Sequence, residues 1–294
     1  MDISQLETLV FSGGGVRGIS YIGVILAFQD TYAKSMNEHF QRFVGTSVGA
    51  LFALFCAINV DFSNLIETFQ SIGLSVIFEK DPIWLLTNFA LSDGHTVQAL
   101  LVSVLESKGF KSNVTFGELF KLTNKHLVAT TVDLNTANVM YLDHIKYPDI
   151  PIVKGIMGSM ALPPIFPPVV HASWSFIDGG LLDAFPIALF DPLKTLGIHT
   201  AWYIDPNSPT KDINSYYTRI LAILQLPLFE SQEANLECPW TVYIDLGNIN
   251  ADTVTVEPKE LVFKGYRCAI ARFASSNVKS NFQSPRKYLG SALR

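Results

Sequence analysis

The sequence predicts a single-domain α/β fold with a mostly parallel central sheet and helices on both faces. Two successive stretches indicate this fold, 6–33 and 41–58, since each passes from an apolar strand through a glycine-containing turn into a helix. Such units in tandem are typical of parallel strands with covering helices. No repeat or linker is apparent, so we expect one domain over 1–294, with the motif-bearing part at 6–190 and 191–294 completing the fold.

The individual elements follow from hydrophobic spacing along the chain. The two opening units place strands at 6–11 and 41–44 and helices at 18–33 and 48–58. Further helices are predicted at 61–72, 82–90, 97–108, 116–123, 213–224 and 262–273, and further strands at 126–133, 139–142, 173–177, 198–204 and 241–246. A turn-like segment at 135–138 separates two of these strands, so we expect 126–142 to form a hairpin.

The composition indicates a globular protein of a reducing compartment. The chain is 49% hydrophobic and 16% charged, which excludes a disordered protein. Its three cysteines, Cys56, Cys238 and Cys268, lack metal spacing, so neither a disulfide framework nor a zinc ribbon is predicted. The first residues show no signal-peptide pattern. We therefore expect a cytoplasmic location, with any membrane contact peripheral.

An uncharged stretch, Phe43–Val60, raises the alternative of a membrane span because it is eighteen residues long. It opens like a strand and breaks at Gly45-Thr46-Ser47 before a helical run begins. That run is too short to cross a bilayer. The sequence therefore favours a buried strand–helix unit.

Charge is distributed unevenly along the chain. The net charge is −5, but 259–294 contains eight Lys or Arg and one acid. A nucleic-acid-binding protein is not indicated. The sequence predicts a basic C-terminal face, with Lys264, Arg267 and Arg272 on the polar sides of a helix. This face would contact anionic membranes or, equally well, be an ordinary solvated surface.

The pentapeptide Gly45-Thr46-Ser47-Val48-Gly49 matches the nucleophile-elbow pattern at a strand-to-helix turn. Small residues two positions either side of Ser47 let strand and helix approach each other. The helix N-terminus directs free N–H groups and a positive dipole end toward the serine. We therefore predict Ser47 as the nucleophile, with Gly45 and Gly49 as the elbow glycines. The alternative is a plain tight turn.

A glycine-rich loop follows the first strand. Three successive glycines expose backbone N–H groups, which can hold an oxyanion or a phosphate. The loop also fits the dinucleotide fingerprint, but that motif requires an acid after the second strand, and the nearest one, Glu38, precedes it. We therefore predict an oxyanion loop in which Arg17 anchors the loop or assists with phosphate. Its candidate residues are Gly13, Gly14, Gly15, Arg17 and Gly18.

A third motif, Asp178-Gly179-Gly180, follows the strand at 173–177. A carboxylate at a strand end followed by two glycines can face a neighbouring loop without crowding. Considered alone, the motif is more typical of an ordinary Asp-Gly turn.

In this order, the three motifs resemble those of the patatin-like phospholipase family, over about 8–186. The segment Ser159–Pro168 is similar to a Pro-Phe-Pro-rich segment of that family. The resemblance implies a three-layer sandwich and a Ser47–Asp178 dyad that hydrolyses acyl esters through an acyl-enzyme without calcium, other metal or cofactor. It implies membrane phospholipid or another acyl lipid as substrate. One departure is Ala184-Phe185-Pro186, where many members have Asn-x-Pro.

Several alternatives remain open at this point. The six histidines form no metal-binding pair, and only His199 follows Asp178, so a Ser–His–Asp triad is not favoured. A transacylase or neutral-lipid lipase would use the same dyad, and a lipid- or anion-binding module would use none. The aromatic-rich segment 78–89 could be a lipid-contacting cap or a core helix.

Overall fold

The computed structural model describes residues 3–63, 65–67, 87–200, 238–246 and 257–274, with isolated positions between 210 and 223. The strands in these ranges are β1 (Thr8–Phe11), β2 (Arg42–Thr46), β3 (His126–Asp133), β4 (Asn138–Leu142), β5 (Val169–His171), β6 (Trp174–Asp178), β7 (Thr195–Thr200) and β8 (Thr241–Ile244). The helices are α1 (Ser20–Tyr32), α2 (Met36–His39), α3 (Val48–Ala57), α4 (His95–Ser107), α5 (Phe116–Thr123), α6 (Ile152–Ser159) and α7 (Pro258–Ala274). Short 3-10 helices include Gly15–Ile19, Gly179–Leu181 and Pro186–Leu189.

The strands form one sheet that is mostly parallel, as predicted. β7 pairs in parallel with β1 and β8, β1 pairs with β2, and β2 pairs with β3. The antiparallel pairs lie at one side of the sheet, where β4 and β6 join β3 and β5 joins β6. The predicted hairpin is confirmed as β3 and β4.

Alternate residues of each strand enter cores on opposite faces of the sheet, because strand side chains alternate in direction. Phe11 and Phe43 belong to the larger core, to which α1, α3, α6 and α7 also contribute. Val10 and Val44 belong to the smaller core, which Ile187 of the Pro186–Leu189 helix covers. Helical segments therefore lie on both faces, and the predicted three-layer α/β arrangement is confirmed.

The uncharged stretch Phe43–Val60 contributes to β2 and forms α3, in agreement with the predicted strand–helix unit. Every residue of α3 after Val48 is buried. In the part of the chain that the structure describes, no helix is long and apolar enough to cross a membrane.

The C-terminal helix α7 crosses α1 at very close range. A methyl group at Gly23 would overlap the carbonyl oxygen of Val262, and one at Gly265 would overlap that of Ser20. The hydroxyl of Tyr266 donates a hydrogen bond to the Asp30 carboxylate at 3.0 Å. α7 is thus held against the helix that leads out of the glycine-rich loop.

Two of the three cations in the predicted basic face of α7 have partners within the protein. The Arg272 side chain donates to the carbonyl oxygens of Pro239 and Thr241 and lies over the Trp240 ring. Lys264 forms an ion pair with Glu260 at 3.4 Å. Contact of this face with anionic membranes stays a prediction.

The remaining differences concern short or irregular elements. Hydrophobic spacing did not predict α6, whose eight residues include two glycines, or β5, which has three residues. α7 begins at Pro258, four residues before the predicted start. The predicted helices at 82–90 and 213–224, the end of the predicted strand at 198–204 and the segment 78–89 fall largely outside the described residues.

Candidate active site

Ser47 lies in the turn between β2 and α3, where the sequence placed the elbow. Its backbone has φ +57° and ψ −130°, a conformation that a residue with a side chain seldom adopts. A methyl group at Gly45 would overlap the Gly49 carbonyl, and one at Gly49 would overlap the carbonyls of Phe11 and Ser12. Both glycines are therefore required by close backbone packing, which holds Ser47 in this strained turn.

The pairing of β3 brings Ser47 and Asp178 together. β4 occupies one edge of β3, so β2 and β6 both pair with the other edge. Thr46 of β2 pairs with Thr130, and Asp178 of β6 pairs with Thr131. The two strands thus meet end to end, and their terminal residues lie side by side.

The Ser47 hydroxyl interacts with the carboxyl group of Asp178, and this interaction lowers the pKa of the carboxyl. The carboxyl group also accepts a 2.7 Å hydrogen bond from the N–H of Gly180. The Asp178 residue is only 2% exposed. Burial raises the pKa of the carboxyl to about 7, and the bonds to Ser47 and Gly180 oppose this increase. The result is a carboxylate basic enough to exchange a proton near neutral pH.

The glycine-rich loop lies beside Ser47, but its first N–H is not free. Gly13 donates to the Ala184 carbonyl at 2.8 Å, so Gly13 is removed from the predicted oxyanion donors. A Cβ atom at Gly13 would lie 3.6 Å from that of Ser47. Among the described residues, no acceptor is observed for the N–H groups of Gly14 and Gly15. These two are the remaining donors of the loop.

Arg17 and Gly18 pack closely against neighbouring groups in and around this loop. Arg17 is 1% exposed, and its Nε donates to the Gly14 carbonyl at 3.2 Å. A methyl group at Gly18 would overlap the Val48 side chain. Of the two alternatives for Arg17, anchoring the loop is the one that these contacts favour.

A buried network of hydroxyl groups lies beneath the loop and was not predicted. The Ser12 hydroxyl donates to the Gly13 carbonyl at 3.0 Å, and the Tyr21 hydroxyl donates to the Ser12 carbonyl at 2.7 Å. Thr200 Oγ1 lies 3.4 Å from the Gly13 carbonyl. A Cβ atom at Gly14 would come within 2.7 Å of the same Thr200 oxygen. The network fixes the carbonyls of Ser12 and Gly13.

A further hydroxyl that was not predicted belongs to Ser159, the last residue of α6. Ser159 is fully buried, accepts a hydrogen bond from the N–H of Ser47 at 2.9 Å and donates to the carbonyl of Thr130 at 2.5 Å. The sequence drew attention to the segment 159–168 only through its resemblance to a family motif.

The loop after Asp178 is held without the amide of an Asn-x-Pro motif. Thr46 Oγ1 donates to the Asp183 carbonyl at 3.0 Å, and the Tyr141 hydroxyl donates to the Asp183 carboxylate at 2.8 Å. Phe185 is buried in the smaller core, against the ring of His199. These contacts support the loop where the sequence departs from the family pattern.

Among the described residues, no histidine contributes to the pKa of the Asp178 carboxyl group, whose hydrogen-bonding partners are Ser47 and Gly180. His199 is buried, and burial together with the Arg17 charge lowers its pKa to about 4, so its imidazole is neutral at pH 7. Over the described ranges, no group of His, Cys, Asp or Glu side chains could hold a metal ion.

The chain is similar to known proteins over the part that carries these motifs. The family model described as Patatin-like phospholipase matches residues 9–191. An uncharacterized protein of Acanthamoeba polyphaga mimivirus is 26% identical over 231 residues, 75% of each chain. A probable lipid hydrolase of Invertebrate iridescent virus 6 is 24% identical over 187 residues, 62% of each chain. The structure of VipD from Legionella pneumophila has the same fold, with a TM-score of 0.64 at 18% identity over 92% of this chain and 67% of VipD.

Proposed function

The chain belongs to the patatin-like phospholipase family, and we propose that it cleaves fatty-acyl esters of phospholipids or lysophospholipids with a Ser47–Asp178 dyad. The observation that carries the proposal is the juxtaposition of Ser47 with the buried Asp178 carboxyl, where β2 and β6 end against Thr130 and Thr131 of β3. A serine hydroxyl is a poor nucleophile until a neighbouring base accepts its proton. Asp178 is in position to be that base, and no histidine of the described residues is among the hydrogen-bonding partners of its carboxyl group.

The first step is acylation of the serine. Ser47 Oγ attacks the ester carbonyl carbon while its proton moves to the Asp178 carboxylate. The tetrahedral intermediate collapses, the carbon–oxygen bond to the alcohol breaks, and Asp178 returns the proton to the departing alkoxide. The products are a free alcohol, such as a lysophospholipid, and an acyl group esterified to Ser47.

The negative charge of the tetrahedral intermediate lies on the former carbonyl oxygen. This oxygen requires hydrogen-bond donors close to it. We assign this role to the N–H groups of Gly14 and Gly15, because that of Gly13 is bonded to Ala184. The N-terminus of α3, which begins directly after Ser47, adds the positive end of its dipole.

The second step releases the fatty acid. A water molecule gives its proton to the Asp178 carboxylate and attacks the acyl carbonyl, and the Ser47 oxygen leaves with that proton. One carboxylate can serve both steps because its raised pKa, about 7, suits proton transfer in either direction near neutral pH.

We also propose that the chain forms one domain over 1–294 and meets its lipid substrate as a peripheral membrane protein. The close packing of α7 on α1 supports the first point, since it ties a C-terminal helix to the motif-bearing part. The acyl-lipid substrate supports the second.

Labelling with a fluorophosphonate, followed by a lipid assay, tests the proposal. The probe should modify Ser47 of the wild-type protein, and phosphatidylcholine or lysophosphatidylcholine vesicles should then release free fatty acid. Transfer of the acyl chain to an added alcohol would instead indicate a transacylase, and release only from triacylglycerol would indicate a neutral-lipid lipase. An unlabelled Ser47 and no release would indicate a lipid- or anion-binding module.

A further inference from the structure

Ser159 occupies the junction where β2 and β6 meet along β3. At this junction the Ser159 hydroxyl connects the N–H of Ser47, at 2.9 Å, with the carbonyl of Thr130, at 2.5 Å. The hydroxyl is fully buried, so water does not compete for either group. The link spans 112 residues of sequence on the Ser47 side and 29 on the Thr130 side.

The segment that begins with Ser159 also bonds to the backbone of Asp178. Two residues later, the carbonyl of Ala161 accepts a 3.0 Å hydrogen bond from the N–H of Asp178. Next to Asp178, a methyl group at Gly179 would overlap the carbonyl of Thr130, to which Ser159 donates. The short segment 159–161 therefore bonds to the backbones of Ser47 and Asp178.

We propose that Ser159 is a positioning residue, which holds the backbone of Ser47 so that its hydroxyl is directed at the Asp178 carboxylate. Ser47 has a positive φ, and such a conformation persists only where surrounding contacts fix it. Removal of the Ser159 hydroxyl leaves the N–H of Ser47 and the buried carbonyl of Thr130 without this partner. The nucleophile then has a less defined position, although Ser159 touches neither the ester nor the proton that moves. This inference rests on the proposed function.

The test compares Ser159→Ala with a matched loss of a buried hydroxyl far from the site. Thr195 is fully buried, and its hydroxyl donates to the Asp191 carbonyl at 2.7 Å, but it pairs with Thr8 at the opposite end of β1. Ser159→Ala should lower kcat for a soluble short-chain ester by about 10- to 100-fold with little change in KM, because misplacement of a reacting group slows the chemical step. Thr195→Val should leave both constants near those of the wild type.

The pH profile supplies a readout that a loss of stability alone would not change. The hydrogen bond from Ser47 lowers the pKa of Asp178, so a displaced Ser47 should move the acid limb of kcat to a higher pH. If Ser159→Ala does not fold, Ser159→Cys fills a similar volume with a weak hydrogen-bonding group and should show the same two changes.

A folded Ser159→Ala or Ser159→Cys protein with wild-type kcat and an unmoved acid limb would overturn the positioning role. The same holds if Thr195→Val loses as much kcat as Ser159→Ala. Failure of the proposed function is recognised separately, because the wild-type protein would then fail to hydrolyse the ester, or Ser47→Ala would hydrolyse it equally well.

Discussion

Ser47 and Asp178 lie side by side because their strands end at neighbouring positions on one edge of β3. The pair is therefore positioned by backbone pairing in the sheet, and only Ser47 depends on the turn after its strand for the direction of its side chain. Burial of Asp178 between these strands also raises the pKa of its carboxyl. Position and basicity thus have the same structural origin.

The glycine-rich loop gives a prediction that separates two of its glycines. Gly14→Val should lower turnover by about 10²–10³-fold, the usual cost of disturbing one oxyanion donor. Gly13→Ala should cost less than about tenfold, since its Cβ atom would lie at an ordinary contact distance and its N–H is bonded to Ala184. Steady-state kinetics on folded variants measures both. Near-normal turnover of Gly14→Val would remove the loop from the mechanism.

The crossing of α1 and α7 predicts an inverted effect of alanine. In most helices Gly→Ala stabilises by about 0.5–1 kcal/mol, because glycine is a poor helix former. Gly265→Ala and Gly23→Ala should instead lower the free energy of unfolding by about 1–3 kcal/mol, since each methyl would overlap a carbonyl of the other helix. Urea unfolding decides the sign, and an increase in stability for either variant would contradict the close packing.

Arg272 and Arg267 of α7 should differ in their contributions to stability and to vesicle binding. Arg272→Ala should lower the free energy of unfolding by about 1.5–3 kcal/mol, because it removes charged hydrogen bonds to the carbonyls of Pro239 and Thr241. Arg267 is exposed and lies over Phe263, so Arg267→Ala should cost only about 0.5 kcal/mol. Any preference for anionic vesicles should fall with Arg267→Ala. Equal stability of the two variants in urea unfolding would contradict this division.

The raised pKa of Asp178 predicts how stability depends on pH. An aspartate carboxyl ordinarily has a pKa of 3.8, and that of Asp178 in the folded protein is about 7, so between these values the folded state holds more protons than the unfolded state. Its contribution to stability is therefore present below pH 3.8 and is lost as the pH rises through about 7. Asp178→Asn removes this titration.

The free energy of unfolding of Asp178→Asn, relative to that of the wild type, should accordingly increase from acid pH to about pH 7 and then level off. Urea unfolding at several pH values measures this difference. A difference that is constant with pH would mean that Asp178 titrates normally.

The sequence was sufficient for the fold class and for the local placement of Ser47 and the glycine-rich loop, because strand–turn–helix units and their glycines are local patterns. It could not reveal that the Gly13 N–H already donates a hydrogen bond, since the acceptor, the Ala184 carbonyl, lies far along the chain. The hydroxyl of Ser159 was missed for the same reason, and α6, which carries it, was hidden by Gly155 and Gly158.

The hydroxyl network beneath the loop shows a different limit. Ser12, Tyr21 and Thr200 are fully buried, yet each follows or belongs to an apolar run that sequence analysis treats as core. Only the pairing of β1 with β7 brings Thr200 to the loop. The sequence indicates such a network only through polar residues at the ends of buried strands.

We propose that Asp178 activates Ser47 without the help of a histidine. The most direct test of this proposal is the rate of short-chain ester hydrolysis by folded Ser47→Ala, Asp178→Asn and six single His→Ala proteins. We expect the first two to have no activity above background and each histidine variant to stay within about tenfold of the wild type, the low side of what a general base contributes. A folded histidine variant as inactive as Ser47→Ala would contradict the dyad and indicate a serine–histidine triad.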